Sequence, residues 1–240
     1  MTTLTHTATA SLPRAGWTRP AAQVALLFAL LVVTTVIGLT VSLLFPRTAD
    51  GGVISLAAIE ADRASTWAIF LAAGTNIVLA VATTAIASLL LVPARGWRWA
   101  TAGFAVALAG GAAYAVGVGG WAMVSWFAGD PALTADARVA LVQAVNGDAL
   151  HGFAPALVGA LLLAIGGILM AIGLWRSGNV PRWVAVLLVA GGFMTFLPRP
   201  GGHANVIFEL PQAVSGVMVG WYLWRRSRVA SAAAPAVAQG

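Results

Sequence analysis

The sequence predicts an all-α, polytopic membrane protein: a bundle of six transmembrane helices with both termini in the cytoplasm. Three observations predict it. Of the 240 residues, 60% are hydrophobic and only 8% charged, against about 25% charged in a soluble domain. Six apolar stretches, most of them close to the roughly 20 residues that a helical span requires, divide the chain. The segments between them alternate in charge. One set (1–21, 94–98, 176–182, 225–240) carries Arg14, Arg19, Arg95, Arg98, Arg176, Arg182, Arg225, Arg226 and Arg228 and no acid. The other holds Asp50, Glu60, Asp62, Asp130, Asp136, Asp148 and Glu209, with Arg47, Arg63, Arg138 and Arg199. Arg-rich loops stay cytoplasmic, so every acid is expected on the outer face.

The first span is expected over 22–45, ending at Pro46, and the second over 66–92, ending at Pro93. The third covers 99–127 and stops at Gly129-Asp130-Pro131; the fourth covers 151–175 and stops at Arg176-Ser177-Gly178. The fifth, 183–197, is short and ends in Pro198-Arg199-Pro200; the sixth, 206–224, meets Arg225-Arg226. These runs are too long, and alternate too little, for β-barrel strands. Trp67, Trp121 and Trp126 fall toward the outer ends and the other seven tryptophans toward the cytoplasmic ends, as an interfacial aromatic belt requires. Residues 1–20 and 229–240 read as disordered cytoplasmic tails flanking one domain, 21–228. No removable signal peptide is recognisable. Residues 53–65 and 134–147 have helical apolar spacing and are expected to form short helices over the outer mouth or on headgroups.

Composition also excludes chemistry. There is no cysteine, hence no disulfide, thiolate metal site or cysteine nucleophile, and no lysine, hence no Schiff base to retinal or pyridoxal phosphate. No cofactor or metal is expected, since no HExxH-like ligand pattern occurs. The net charge of +6 sits in short loops beside spans, where topology accounts for it and no nucleic-acid face is built. The Arg-only, Ala/Val/Gly-rich composition suggests a GC-rich bacterial genome, and the expected location is a bacterial cytoplasmic membrane.

Polar groups inside hydrocarbon are costly and mark function by default. Asp148, His151 and Pro155 are spaced i, i+3, i+7 and share a helix face. Glu209 and Gln212 do the same one turn inside the last span, with Pro211 between them and His203 just before. A carboxylate beside an imidazole is the minimum for acid–base work, so Glu209, Asp148 and His151 are the candidate acid/base residues, with Asp148 the expected partner of Glu209. Gln212, His203, Asn76 and Tyr114 are the candidate ligand-binding residues, Asn76 and Tyr114 lying nearer mid-membrane, and Thr83 shares a face with Asn76. The bland reading of each is a helix cap, an interfacial histidine or an interhelical hydrogen bond, and for Glu209 a buried structural pair with Arg199 or Arg63. Gly103, Ala107, Gly111, Ala115 and Gly119 form an every-fourth small stripe, and Gly216 and Gly220 a GxxxG pair, which permit close helix packing inside the protein or in a homo-oligomer.

The run Leu174-Trp175-Arg176-Ser177-Gly178-Asn179-Val180-Pro181-Arg182-Trp183-Val184 resembles the R-S-x-x-[VI]-P-R-W-[LV] loop of an uncharacterised family of bacterial six-helix membrane proteins, a domain of unknown function. The segments 57–80 and 209–213 agree with it. The resemblance covers about residues 20–225 and implies the same fold and topology, without an activity. Members of that family often carry an acidic residue near the place of Asn76, and this departure puts a shared proton-handling role there in doubt. Three functions therefore stand: binding or transport of a small hydrophobic molecule through an outward polar pocket, an intramembrane hydrolase, isomerase or cyclase, and a structural or regulatory subunit in the lipid bilayer.

Overall fold

A computed structural model describes residues 21–46, 52–194 and 203–237, and among them it is helical with no strand. The eight helices are α1 (Ala21–Leu44), α2 (Leu56–Ala61), α3 (Arg63–Leu91), α4 (Trp97–Ala128), α5 (Ala135–Gly147), α6 (Ala149–Ser177), α7 (Arg182–Met194) and α8 (His203–Val237). Five of them, α1, α3, α4, α6 and α8, are long and apolar enough to cross a membrane. α7 is apolar but has 13 residues, about 20 Å of helix against a hydrocarbon layer of about 30 Å. The last residues of the expected fifth span, 195–197, lie outside the described residues, as do the expected tail 1–20 and Arg47, Asp50 and Arg199. α8 runs on past Trp224 through an Ala-rich stretch of high helix propensity.

The long helices turn large side chains outward: Val116 on α4 is 68% exposed and Leu161 on α6 is 52% exposed. A soluble bundle buries these faces; a bilayer solvates them.

α1, α3, α4, α6, α7 and α8 pack in sequence, and α8 returns to α1, which closes a ring. One end of the ring carries Arg95, Arg98, Arg176, Arg182, Arg225, Arg226 and Arg228; the other carries Glu60, Asp62, Asp130, Asp136, Asp148 and Glu209. The segregation read from the sequence thus becomes two ends of one bundle. α2 and α5 lie at the acidic end, touching α3, α4, α6 and each other. The single helical entry expected over 53–65 is two helices, because Asp62 is extended (φ −160°, ψ 97°) and caps α3 by accepting from the Ser65 backbone N–H. Side-chain hydrogen bonds pull its carboxyl below the ordinary value, chiefly the Ser65 hydroxyl and then the Ser65 N–H.

The closest packing is between antiparallel α4 and α6. Gly103, Gly110 and Gly117 on one recur every seven residues, as do Gly159, Gly166 and Gly173 on the other. A methyl group placed on Gly166 would lie 2.5 Å from the Ala107 nitrogen, and one on Gly103 would lie 2.6 Å from the Met170 nitrogen. Only glycine permits that approach. The expected every-fourth stripe is therefore divided between faces. Gly103 and Ala107 meet α6, Gly111 meets Val81 of α3, Ala115 meets Gly74, and Gly119 has nothing within 4 Å. Seven-residue spacing wins because it keeps one seam on one partner along the whole contact. Gly220 fits against Phe28 and Leu31 of α1, so this half of the GxxxG pair is used within the chain.

The 174–184 loop is a staple at the Arg-rich end. Gly178 adopts a left-handed conformation (φ +65°) that ends α6. Asn179 donates from Nδ2 to the Leu91 carbonyl of α3 and from its backbone to Ser177 Oγ. Arg182 lies 5.1 Å over the Trp175 ring. These contacts give Ser177, Gly178, Asn179 and Arg182 structural roles.

Candidate functional site

Two buried apolar clusters fill the ring. One, at the Arg-rich end, includes Leu31, Val81, Ala107, Leu174, Val184 and Val219. The other, at the acidic end, includes Ile54, Ile59, Phe70, Val118, Trp121 and Ala156. Between and alongside them lies a cavity of about 480 Å³ walled by α1, α3, α4, α6, α7 and α8, within the ordinary range for small-molecule sites. Small residues make the space: Gly38, Ala73, Ala107, Ala160, Gly167 and Gly192 all line it. On α6 the lining runs from Phe153 to Met170, roughly 25 Å along the helix, so the cavity is elongated.

Four expected site residues line this cavity: Asn76, Tyr114, Glu209 and Gln212. Helix registers put three of them at one depth. A methyl group on Gly216 would lie 3.5 Å from Thr84 Oγ1; α8 and α3 run parallel, so two turns back Glu209 is level with Asn76. Gly74 packs on Ala115 across antiparallel α3 and α4, which brings Asn76 level with Tyr114. On α1, Gly38 leaves room beside Asn76, whose Nδ2 would lie 3.0 Å from a methyl group there. The result is a polar layer in a mainly apolar cavity, with Ser42, Thr84, Asn205 and Gln212 as further polar lining residues.

Asn76 is buried, and its Oδ1 has no hydrogen-bond partner among the described residues. A buried amide oxygen without a donor costs about 1–3 kcal/mol. Thr83 differs: its hydroxyl donates to its own helix, to Leu79 O at 2.7 Å, and it is Thr84 that lines the cavity. Glu209 and Gln212 are half-buried on α8, which continues through Pro211. Pro211 lacks an N–H, so it cannot donate the usual i→i−4 bond to the Ile207 carbonyl, two residues before Glu209.

Asp148 and His151 do find each other, His151 Nδ1 lying 2.8 Å from Asp148 Oδ2, but with 51% and 82% of their side chains exposed. Neither lines the cavity. Asp148 caps α6 by accepting from the His151 backbone N–H at 3.1 Å. That N–H, and then the His151 ring, hold the Asp148 carboxyl below its ordinary value. A carboxyl with a lowered folded pKa stabilises the fold fully above its unfolded pKa of about 4 and loses that contribution as pH falls through the lower folded value. Asp148→Ala is accordingly expected to melt below wild type at neutral pH. The gap should close on acidification below about pH 4, as thermal unfolding in detergent across pH would record. The side chain of His203, at the start of α8, lies outside the described residues. Among the described residues no three His, Asp or Glu side chains converge, so they build no metal centre.

Several lining residues escape the sequence reading. Trp121 is not a belt residue: it is 6% exposed, lines the cavity, and donates from Nε1 to the Gly152 carbonyl at 2.9 Å. Phe153 packs on it with ring centroids 5.4 Å apart. Asn205, buried, precedes Glu209 by four residues and Gln212 by seven, a helical spacing that the sequence already contains.

At the acidic end α5 is clasped to the chain before α2, and α3 to the end of α4. Asn146 at the end of α5 accepts from the backbone N–H groups of Val53 and Ile54, both at 3.1 Å, and donates to the Ile54 carbonyl at 2.8 Å. Arg63 donates to the Gly129 carbonyl at 3.0 Å, and its guanidinium sits 3.8 Å over the Trp126 ring.

A ring of apolar helices with lipid-type outer faces and a polar layer around an internal cavity defines a multi-pass membrane protein. The chain belongs to the family of the domain of unknown function DUF4386, whose family model matches residues 21–229. No curated protein and no solved structure matches it.

Proposed function

We propose that this is a six-span protein of a bacterial cytoplasmic membrane, with both termini cytoplasmic, that binds or transports a small hydrophobic molecule in the cavity. In that orientation the acidic end, with α2 and α5 over it, faces outward. One observation carries the reading: an elongated, mainly apolar cavity that keeps Asn76, Tyr114 and Glu209 at a single depth. A few convergent polar groups in an apolar pocket orient a ligand. Catalysis is less supported, because the acid–base set expected at the site is divided. Glu209 lines the cavity, while Asp148 and His151 form an exposed pair elsewhere.

Filling the cavity tests this. A methyl group on Gly167 would meet nothing nearer than the Leu188 carbonyl at 3.8 Å, so Gly167→Leu is expected to fold and to occupy the space. Native mass spectrometry of the full chain from nanodiscs should find a small molecule on wild type and none on the variant. An identical bound species on both, or none on wild type, defeats the proposal.

A further inference from the structure

The cavity wall holds a polar atom that the protein does not serve. Asn76 lines the cavity and is 9% exposed, and its Oδ1 has no hydrogen-bond partner among the described residues. Buried side-chain oxygens are satisfied in the large majority of cases, so the missing donor is a sign of what occupies the space. The terminal torsion of asparagine is broad and roughly two-fold, so either end of the amide can turn to the cavity. A group that pairs with it must bring a donor for the oxygen and can bring an acceptor for the nitrogen. A hydroxyl supplies both.

The rest of the lining argues for a head without charge. Among the described lining residues there is no arginine or histidine, so an anionic head would find no counter-charge. Glu209 is the acid in the lining, and it already has an interaction partner within the protein, as has Tyr114. A cationic head would have to compete for it. Moving an ion out of water into a mainly apolar space also costs far more than moving a hydroxyl.

Apolar groups lie on both sides of Asn76. Phe45, Trp121 and Phe153 line the cavity toward the acidic end, and Val81, Leu163, Met170 and Leu188 toward the Arg-rich end, where Thr84 and Gln212 join them. The lining thus accepts a hydrocarbon body without dividing into a polar half and an apolar half, and the Asn76 amide is what places the head.

We infer that the ligand is an uncharged lipophilic alcohol whose hydroxyl pairs with the Asn76 amide. This rests on the binding reading above and specifies its substrate class.

Four probes with one chain test it: decanol, decyl methyl ether, decylamine and decanoate. The ether keeps the oxygen of decanol and loses its donor; the amine and the acid are charged at pH 7. Each is titrated calorimetrically at pH 7 into the full chain in nanodiscs, with protein-free nanodiscs subtracted so that partition into lipid cancels. Decanol is expected to bind about tenfold tighter than the ether, the scale of a buried acceptor gaining its donor, and tighter than either charged probe. Asn76→Leu, close in size and without the amide, should bring decanol and the ether to equal affinity while the ether binds as it does to wild type. Asn76→Ala, which adds no volume beside Gly38, should do the same and serves if the leucine variant does not fold. Equal binding of decanol and the ether by wild type overturns the alcohol assignment and leaves the cavity as a binding site. So does a preference for decanol that survives both substitutions, or a charged probe that binds as tightly as decanol. Failure of all four probes also overturns the assignment, and the Gly167→Leu comparison then decides separately whether the cavity binds anything.

Discussion

Gly166→Leu is expected to prevent the bundle from folding or to melt it far below wild type, with a loss of about 3 kcal/mol or more. The obstacle is backbone: a methyl group at Gly166 already meets the Ala107 nitrogen at 2.5 Å and the Ala107 Cα at 2.7 Å. No rotamer change relieves this, so α4 and α6 must separate along the most extensive helix contact among the described residues. Gly119→Leu is the matched control, since nothing lies within 4 Å of a methyl group there, and replacing glycine inside a helix also removes an entropic cost. Its melting temperature should equal or slightly exceed that of wild type. Thermal unfolding of the three proteins in one detergent is the measurement, and equal melting of the two variants would show that the close seam is not where Gly166 lies.

Asn146→Ala is expected to release the cover at the acidic end. One side chain serves three backbone groups of Val53 and Ile54. Ile54 is buried, so water does not readily replace them. Each group left unpaired costs about 1–3 kcal/mol, and partial relaxation brings the expected total to roughly 2–4 kcal/mol. Close packing adds to the constraint: a methyl group on Gly52 would meet Asn146 Nδ2 at 2.5 Å, so the chain passes directly against this side chain. Hydrogen exchange should rise at 53–56 and at the end of α5, with α4 and α6 unchanged. Unaltered protection at 53–56 would mean that the cover is held by its apolar contacts, Ile54 and Ile59 above all.

Much of the candidate site was legible residue by residue. Polar side chains in apolar runs are few, and Asn76, Tyr114, Glu209 and Gln212 stand out for that reason alone. The spacing of Asp148 and His151 likewise foretells their contact, because i and i+3 are neighbours on any helix. Whether such a pair faces a cavity or water was not legible. It depends on where α6 begins relative to its neighbours, and here Asp148 is the residue between α5 and α6, outside the ring. Trp121 shows the reverse case. Its distance from the end of its span suits an interfacial belt, yet Phe70 and Phe153 enclose it, and no local pattern announces them.

The sequence by itself determined the apolar helices, their ends to within a few residues, and the segregation of acids from most arginines. These follow from backbone satisfaction in lipid and from charge in short loops, both properties of local segments. The tertiary structure alone decided which glycine repeat became the seam, that α2 and α5 are clasped over one end, and that Asn76, Tyr114 and Glu209 share a depth. Those depend on the register of one helix against another. That register is set where Gly166 meets Ala107, Gly74 meets Ala115 and Gly216 meets Thr84, contacts between residues far apart in the chain.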